Sequence, residues 1–446
     1  MRESGPERAL LTGVHGVDPG RDPEIEELAR LAESAGAVVV GTLVQHRTKP
    51  VPATFLGRGK VEELKRLSGQ LGADLVIADH ELTPVQQRNL EDALDLKVID
   101  RTALVLDIFA RRAQTHEGRL QVELAQMTYL LPRLTGRGTA LSRLGGGIGT
   151  RGPGETKLEV DRRRIRRRIT DLRAQIGEIR QHRALQRKAR REAHFPTVAL
   201  VGYTNAGKST LLNALTDAGV FVEDKLFATL DPTVRKVTLP NGRPVLLIDT
   251  VGFITRLPTQ LVAAFRATLE EVTEADVLVH VVDGSHPDWQ NQMRSVDKVL
   301  AELDAGDKPT IIAVNKTDQM SPAETRAVVT QAGEGNAASA GRESRPGAPA
   351  VAISALHKVG LLNLLRVISQ HLPEGLVKIR LTVPYTQAGA LSQMFTHGRV
   401  LRQDYAEDGI RVEAELPRVQ AEQLRALAHR WNSRKRRSQH GRRETD

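Results

Sequence analysis

A lysine and a serine close an octapeptide, GYTNAGKS, that fits the phosphate-binding pattern GxxxxGK[ST]. The apolar run PTVALV precedes it and TLLNALT follows it, so a strand, a loop and a helix are expected in that order. In such a loop, backbone N–H groups and the positive helix end surround phosphate, Lys208 neutralises charge, and the Ser209 hydroxyl can hold Mg²⁺. The pattern therefore predicts a nucleoside triphosphate site in preference to a plain glycine-rich turn. The expected contacts are Gly202, Tyr203, Thr204, Asn205, Ala206, Gly207, Lys208, Ser209 and Thr210.

Three later segments, each at the end of an apolar strand, favour guanine as the base. DTVG fits a DxxG element, in which Asp249 reaches the Mg²⁺ shell and the Gly252 N–H senses the γ-phosphate. NKTD ends in Asp318, whose carboxylate can accept from guanine N1–H and the exocyclic amine, a donor pair that adenine lacks. After the strand VAIS, a backbone N–H can donate to guanine O6. The expected contacts are Asp249, Thr250, Val251, Gly252, Asn315, Lys316, Thr317, Asp318, Ser354, Ala355 and Leu356, with Ser209 and Asp249 as metal ligands.

Taken together, these segments resemble the Ras-like translation-factor class of GTPases. The resemblance places switch I in FVEDKLFATLDPT and implies nucleotide contacts from Phe227, Ala228 and Thr229. Thr229 would be a further Mg²⁺ ligand, with Thr233 as the alternative. Phe253 stands where Ras-like proteins carry the glutamine that orients the attacking water, and a phenyl ring cannot do so. Slow intrinsic hydrolysis, or water positioning by another group or a partner, is implied, and the catalytic residue is unassigned.

Composition limits the class of protein. A length of 446 residues corresponds to about three domains. The absence of cysteine excludes disulfides and cysteine-based metal or redox sites. The start of the chain has no basic-then-apolar signal, and no apolar run approaches the roughly 18 residues of a membrane span, so a soluble, cytoplasmic protein is expected. A monomer is expected as well. The net charge of +10 is compatible with nucleic acid, an acidic membrane surface or simple solubility.

Two apolar seams predict a helical hairpin. Spacings of four and three residues, typical of coiled coils, recur on both sides of a glycine-rich stretch. RRRIRRR, residues 162–168, lies on the second helix, and residues 430–443 are also basic. Each basic segment is open to two interpretations: RNA contact, or a solvated helix face for the first and a disordered tail for the second. The seam residues are Leu120, Leu124, Met127, Leu131 and Leu134 in the first helix, and Leu158, Ile165, Ile169, Leu172, Ile176 and Ile179 in the second.

The stretch between the two helices, TGRGTALSRLGGGIGTRGPGET, spans residues 135–156. Connections this long are usually functional or disordered. Its glycines allow close backbone approach, and its arginines can contact phosphate, so it suits a probe of an RNA-lined cavity. A disordered linker and a second nucleotide loop are the alternatives. The RNA-binding candidates are Arg137, Arg143, Arg151 and Lys157.

The remaining segments complete an α/β multidomain protein. Alternating helices and strands predict a small parallel α/β domain over roughly residues 20–113, in which Thr83 caps a helix. GRGK, residues 57–60, indicates a plain turn in preference to a contact with phosphate or RNA. Residues 332–350, rich in Gly, Ala, Ser and Pro, indicate a disordered insertion. The predicted domains are an N-terminal α/β domain (1–113), an antiparallel helical hairpin (114–194), a P-loop GTPase core (195–373) and a small α+β C-terminal domain with a basic tail (374–446).

Five segments follow one another in the order GGGIGTRGPGETKLEVDRRRIRRRI, GYTNAGKST, FATLDPT, DTVGFI and NKTD. With these segments, the whole chain resembles the HflX family of ribosome-associated GTPases. The resemblance implies binding to the large ribosomal subunit and its rRNA, insertion of the hairpin loop near the peptidyl transferase centre, GTP hydrolysis to GDP with Mg²⁺, and ribosome splitting or rescue. ISALHKVG replaces the more usual ISAK, which removes any role for a lysine there. Asn205 matches the loop asparagine of potassium-activated GTPases, so K⁺ is a candidate cofactor. The alternative is an asparagine that only braces the loop.

Two other functions fit the same residues. One is a nucleotide-gated factor that binds or assembles the large subunit, with hydrolysis incidental. The other is ATP-dependent RNA remodelling, since some members of the family are credited with ATP binding by the N-terminal domain.

Overall fold

The structure is a computed structural model. It describes residues 5–16, 23–134, 157–192, 195–216, 227, 232–255, 269–339, 347–373, 376–407, 409–417, 420–428 and 431. Within these residues, every helix is too short or too polar to cross a lipid bilayer.

The N-terminal part is a parallel four-stranded sheet in the order β2-β1-β3-β4. Its strands are β1 (Arg8–His15), β2 (Val38–His46), β3 (Leu75–Ala78) and β4 (Lys97–Asp100), and its helices are α1 (Pro23–Ser34), α2 (Arg58–Leu71), α3 (Pro84–Leu94) and α4 (Arg101–Arg112).

Three sequence predictions for this part meet different outcomes. The predicted cap is confirmed: Thr83 Oγ1 accepts from Gln86 N at 3.2 Å, and Gln86 Oε1 accepts from Thr83 N at 3.0 Å. The predicted turn at GRGK is wrong, because Gly57 caps α2 and Arg58 begins it. The predicted domain start near residue 20 leaves out β1, an inner strand whose apolar residues are buried on both faces.

The predicted hairpin is confirmed as an antiparallel pair. α5 (His116–Leu130) packs on α6 (Lys157–Glu192) through the buried residues Leu120, Leu172 and Ile176. The direction follows from two further contacts: Arg168 bonds Glu123 at 2.6 and 2.7 Å, and Arg162 Nη2 donates to Leu134 O at 2.9 Å. The predicted first helix is too long, because a 3₁₀ turn containing a proline, Leu131–Arg133, follows α5.

The GTPase part is a six-stranded sheet in the order β10-β9-β8-β5-β7-β6, parallel except for β6. The predicted disordered insertion at 332–350 is wrong at its start. A helix continues to Ser339, because alanine is a strong helix former and Ala332 is fully buried against the sheet. The strands are β5 (Thr197–Gly202), β6 (Thr233–Thr238), β7 (Pro244–Asp249), β8 (Val277–Asp283), β9 (Thr310–Asn315) and β10 (Ala350–Ala352), and the helices include α7 (Lys208–Thr216), α8 (Trp289–Glu302), α9 (Pro322–Ser339) and α10 (Leu361–His371).

The C-terminal part consists of a strand, a helix, a β-hairpin and a helix, which is an α+β arrangement as predicted. Its antiparallel sheet runs β11-β13-β12. Its elements are β11 (Leu376–Val383), α11 (Ala388–His397), β12 (Arg399–Ala406), β13 (Gly409–Pro417) and α12 (420–428).

The hydrophobic core joins the N-terminal and GTPase parts. One cluster of buried side chains contains Leu11 and Phe109 from the N-terminal part together with Val201 and Phe253 from the GTPase part. The nucleotide segments are therefore packed against the N-terminal part by the same apolar contacts that stabilise each sheet.

Candidate functional site

The phosphate loop connects β5 to α7 in a conformation that requires glycine at two positions. Gly202 has a φ of 151° and Gly207 a φ of 93°. A Cβ at Gly202 would overlap the Val281 carbonyl oxygen, and one at Gly207 would overlap the Asn315 amide. Substitution at either glycine would thus cause both backbone strain and a steric clash.

Lys208 lies inside this loop with only 5% of its surface exposed. Its Nζ donates to the carbonyl oxygens of Gly202 at 3.1 Å and Tyr203 at 2.9 Å. Burial lowers the pKa of Lys208 to about 8, while the nearby Asp249 carboxylate acts in the opposite direction. The ammonium is held by loop carbonyls, where the negative charge of a phosphate would stabilise it.

A hydroxyl and a carboxylate meet at the start of α7. Ser209 Oγ donates to Asp249 Oδ2 at 2.6 Å, and Asp249 is fully buried at the end of β7. This oxygen-only pair fits Mg²⁺, which takes few protein ligands and completes its shell with water and phosphate oxygens. The other expected metal ligand, Thr229, and its neighbour Ala228 lie outside the described residues.

Asn315 joins the phosphate loop to the loop after β10. Its Nδ2 donates to Ala206 O at 2.8 Å, and its Oδ1 accepts from Ala355 N at 2.9 Å. The side chain is buried, so both bonds are shielded from water. Asn315 therefore sets the relative position of the two loops.

Asp318 and Ser354, expected at the base, lie side by side. Ser354 Oγ donates to Asp318 Oδ1 at 2.6 Å and thereby fixes the carboxylate. The residues just before them are also bonded: Thr317 Oγ1 donates to Ile353 O at 2.9 Å. Each oxygen of an ionised carboxylate has two lone pairs, so Asp318 can still accept from paired donors such as those of guanine. The neighbouring Lys316 pairs with Asp283 at 2.7 Å, and Leu356 is 70% exposed.

The DxxG segment lies directly against the phosphate loop. Phe253 N donates to Gly202 O at 3.1 Å, and Thr204 N donates to Phe253 O at 2.7 Å. A Cβ at Gly252 would lie only 2.8 Å from the Thr204 Cα. The Phe253 ring is buried in the core, so it takes no part in positioning water. Within the segment, Thr250 Oγ1 donates to Leu200 O at 2.7 Å, and Val251 is buried.

A buried polar network ties the phosphate loop to the N-terminal sheet; it comprises Glu27, Asp79, Arg101, Tyr203 and Thr255 and is here called the Arg101 network. Tyr203 Oη donates to Glu27 Oε2 at 2.8 Å and accepts from Thr255 N at 2.7 Å. Arg101 donates to Glu27 at 2.6 Å, to Asp79 at 2.8 Å and to Thr255 O at 3.2 Å. Burial raises the pKa of Glu27, and the Arg101 charge opposes that shift.

The sequence-based reasoning missed Arg101 and Glu27. Arg101 is separated from Glu27 by 74 residues and from Thr255 by 154. The one signal in the sequence is position: Arg101 directly follows strand β4, and Glu27 lies on the helix that follows β1. Functional groups often collect at the carboxyl ends of parallel strands.

Phe227, expected among the nucleotide contacts, has its side chain in the core. Its ring lies 4.5 Å from that of Phe109 on α4, and it is 2% exposed. Its φ of 59° is unusual for an aromatic residue.

Asn205, by contrast, is exposed, with a φ of 61°. A cleft of about 800 Å³ opens beside Asn205, between α1 and α8.

Three family models match successive parts of the chain. Residues 22–110 match the family described as GTP-binding GTPase N-terminal, residues 112–190 match GTP-binding GTPase Middle Region, and residues 197–316 match 50S ribosome-binding GTPase. Among solved structures, a GTP-binding protein from Sulfolobus solfataricus in complex with GDP is 24% identical, with a TM-score of 0.43, over 82% of this chain and 98% of that one.

Full-length relatives share much more of the sequence. The chain is 48% identical over 419 residues to GTPase HflX of Caldanaerobacter subterraneus, covering 94% of this chain and 93% of the relative. It is 39% identical over 415 residues to GTPase HflX of Escherichia coli K12, covering 93% and 94%. The chain is a guanine-nucleotide-binding protein with a ribosome-binding GTPase domain, and it belongs to the HflX family of GTPases.

Proposed function

We propose that this GTPase associates with the large ribosomal subunit, splits or rescues stalled ribosomes, and hydrolyses GTP faster when the ribosome is bound. The helical hairpin carries the proposal. α6 has 36 residues, about 54 Å at 1.5 Å per residue, and its first residue adjoins the basic, glycine-rich segment 135–156. A basic segment rich in glycine suits a cavity lined with phosphates.

The charge on α6 supports RNA as the partner. Arg164, Arg166 and Arg167 are exposed, whereas Arg168 is paired with Glu123. Exposed guanidinium groups can contact phosphate without losing an internal partner. The proposed RNA contacts at the tip are Arg137, Arg143, Arg151 and Lys157, of which the structure describes only the Lys157 backbone.

A continuous set of contacts connects the hairpin to the nucleotide segments. Tyr129 of α5 donates to Asp100 at 2.8 Å, and Arg101, the next residue, bonds the Thr255 carbonyl just after DTVGF. Phe227 packs on Phe109 of α4, which leads into α5. A shift of the DxxG segment would therefore act on α5, including its end next to the tip segment 135–156, which is how nucleotide state would control ribosome contact.

The proposal assigns the nucleotide site to the motif residues. Backbone groups of the loop and Lys208 bind phosphate, Asp318 and a backbone N–H of the loop after β10 select guanine, and Ser209 with Asp249 would hold Mg²⁺. Bound Mg²⁺ supplies charge neutralisation at the phosphates. The proposal further includes a monomer acting in the cytoplasm, where ribosomes are found.

The test measures GTP turnover and ribosome integrity in parallel. Turnover is measured for the protein alone, with each isolated subunit, and with intact ribosomes, while sedimentation follows the intact ribosome peak. We expect large subunits and ribosomes to raise turnover, and GTP to convert the intact peak into subunits. Unchanged turnover with an unchanged peak would contradict splitting and favour a binding or assembly factor with incidental hydrolysis.

A further inference from the structure

Four side chains with metal-ligating atoms lie together at the carboxyl edge of the N-terminal sheet. His15 ends β1, Asp79 and His80 follow β3, and Glu24 lies in the first turn of α1. Because β1 and β3 are parallel neighbours, their ends bring His15 and Asp79 to the same edge.

The distances among these atoms match those between ligands of one metal ion. His15 Nε2 lies 3.1 Å from Asp79 Oδ2 and 3.3 Å from Glu24 Oε2, and His80 Nδ1 lies 3.8 Å from Asp79 Oδ2. One ligand atom from each of His15, Asp79 and His80 lies within 4.8 Å of the others. Ligands bound to zinc at about 2.1 Å in a tetrahedron are roughly 3.4 Å apart.

Burial and charge also favour a cation here. Asp79 is fully buried and the His15 side chain is 9% exposed, whereas His80 and Glu24 are 25% and 33% exposed. Asp79 Oδ1 is paired with Arg101, whereas Asp79 Oδ2 lies beside both imidazoles, where a carboxylate oxygen would help to hold a divalent cation.

The surroundings of Asp79 and His80 are those expected around a metal site. Arg101 Nη1 donates to Asp79 Oδ1 and so orients Oδ2 toward His15. The ring of Phe55 lies 5.6 Å from that of His80 and forms an apolar wall. Hydrogen bonds to a ligating carboxylate and an apolar wall both strengthen metal binding.

We infer that His15, Asp79 and His80 form a binding site for a divalent transition metal ion of the zinc class, with Glu24 beside His15 at its edge. Two imidazoles with carboxylates suit zinc and its neighbours, whereas Mg²⁺ prefers oxygen ligands alone. The site is separate from the proposed Mg²⁺ ligands Ser209 and Asp249.

The experiment uses the untagged full chain with Mg²⁺ in excess, so that the Ser209–Asp249 position does not take up the added ion. Zn²⁺ is titrated in competition with a chromophoric chelator, and Co²⁺ is added separately to record visible absorption. Since the chain has no cysteine, thiolates cannot contribute to either signal. We expect one equivalent of Zn²⁺ and a Co²⁺ band typical of a tetrahedral site.

His80→Ala and His15→Gln should each weaken Zn²⁺ binding by roughly tenfold or more and remove the Co²⁺ band. His371→Ala is the matched control, because His371 is exposed at the end of α10, far along the chain from this site. Thermal unfolding of each variant checks the fold, and the partial exposure of His80 makes His80→Ala the safer variant. Equal Zn²⁺ affinity in the wild type and the His80→Ala variant, or no uptake by a folded wild type, would overturn the inference and leave His15 as an ion-pair partner of Asp79 and Glu24.

Discussion

The hydroxyl of Tyr203 accepts a hydrogen bond from the Thr255 backbone N–H at 2.7 Å and so joins the phosphate loop to the segment that follows DTVGF. The same hydroxyl donates to Glu27 on α1. A single oxygen thus connects three segments that are far apart in the chain.

Tyr203→Phe should lower the free energy of unfolding by about 1 to 3 kcal/mol, because it removes that oxygen and leaves buried polar groups with fewer partners. Chemical denaturation measures the change. Tyr385→Phe is the control, since the Tyr385 side chain is 55% exposed and its hydroxyl bonds only the Ala406 carbonyl within the part of the chain that the structure describes. Equal losses of stability in the two variants would show that the Arg101 network does not stabilise the fold.

His280, in the middle of β8, predicts a pH dependence of stability. Burial lowers its pKa to about 4, and the Lys208 charge acts in the same direction. Between pH 6.5 and 4 the unfolded state binds the proton and the folded state does not, so stability falls as the pH falls through this window, by up to about 3 kcal/mol. The slope of unfolding free energy against pH should be shallower in His280→Gln than in the wild type. His371→Gln, at an exposed site, should keep the wild-type slope.

Asp318→Asn should shift preference from GTP toward xanthosine triphosphate, because an amide can donate where xanthine accepts. Competition binding with both nucleotides measures the shift, which should amount to several kcal/mol. Ser354→Ala is an informative companion, because it removes only the hydroxyl that holds Asp318 Oδ1. That companion should weaken GTP binding without changing the preferred base. An unchanged GTP preference in Asp318→Asn would refute the assignment of Asp318 to the base.

Replacing Arg143, Arg151 and Lys157 by alanine should weaken ribosome binding and reduce its salt slope by roughly 0.7 to 0.9 for each phosphate interaction that the substitutions remove. GTP binding by the free protein should not change, whereas ribosome-stimulated turnover should fall. The matched control replaces three exposed basic residues elsewhere, Arg58, Arg399 and Arg402. Wild-type binding by the tip variant at several salt concentrations would argue against the loop as the RNA probe and point to the basic C-terminal segment.

Turnover with ribosomal subunits present should be faster in K⁺ than in Na⁺. With Phe253 buried, a monovalent cation held by Asn205 could supply charge stabilisation near the phosphates. Asn205→Gly is the sharpest variant, since glycine tolerates the φ of 61° and removes only the carboxamide side chain. That variant should lose the K⁺ advantage. Equal wild-type rates in the two salts would assign Asn205 to bracing the loop.

Much of this protein could be predicted from the sequence because its strongest signals are local. The motifs around Lys208, Asp249 and Asn315 each follow an apolar strand, and parallel strands place such ends at one edge of a sheet. The cap at Thr83 and the seam of the hairpin likewise depend on residues within one or two turns of each other. The fold class and the nucleotide site followed from these patterns, and the family followed from the resemblance of the motif segments to HflX proteins; the family, the fold class and the GTPase assignment are confirmed.

The tertiary structure alone decided what depends on distant partners. Arg101 has no motif of its own; its role comes from Glu27 and Thr255, which only folding brings near it. Phe227 belongs to a nucleotide motif, yet its ring is buried against Phe109 because the two parts of the chain share one core. Ala332, in a stretch with the composition of a disordered segment, is helical because the sheet beneath it buries its side chain. Composition and spacing report local preference, whereas burial and long-range pairing depend on which surfaces meet in the folded chain.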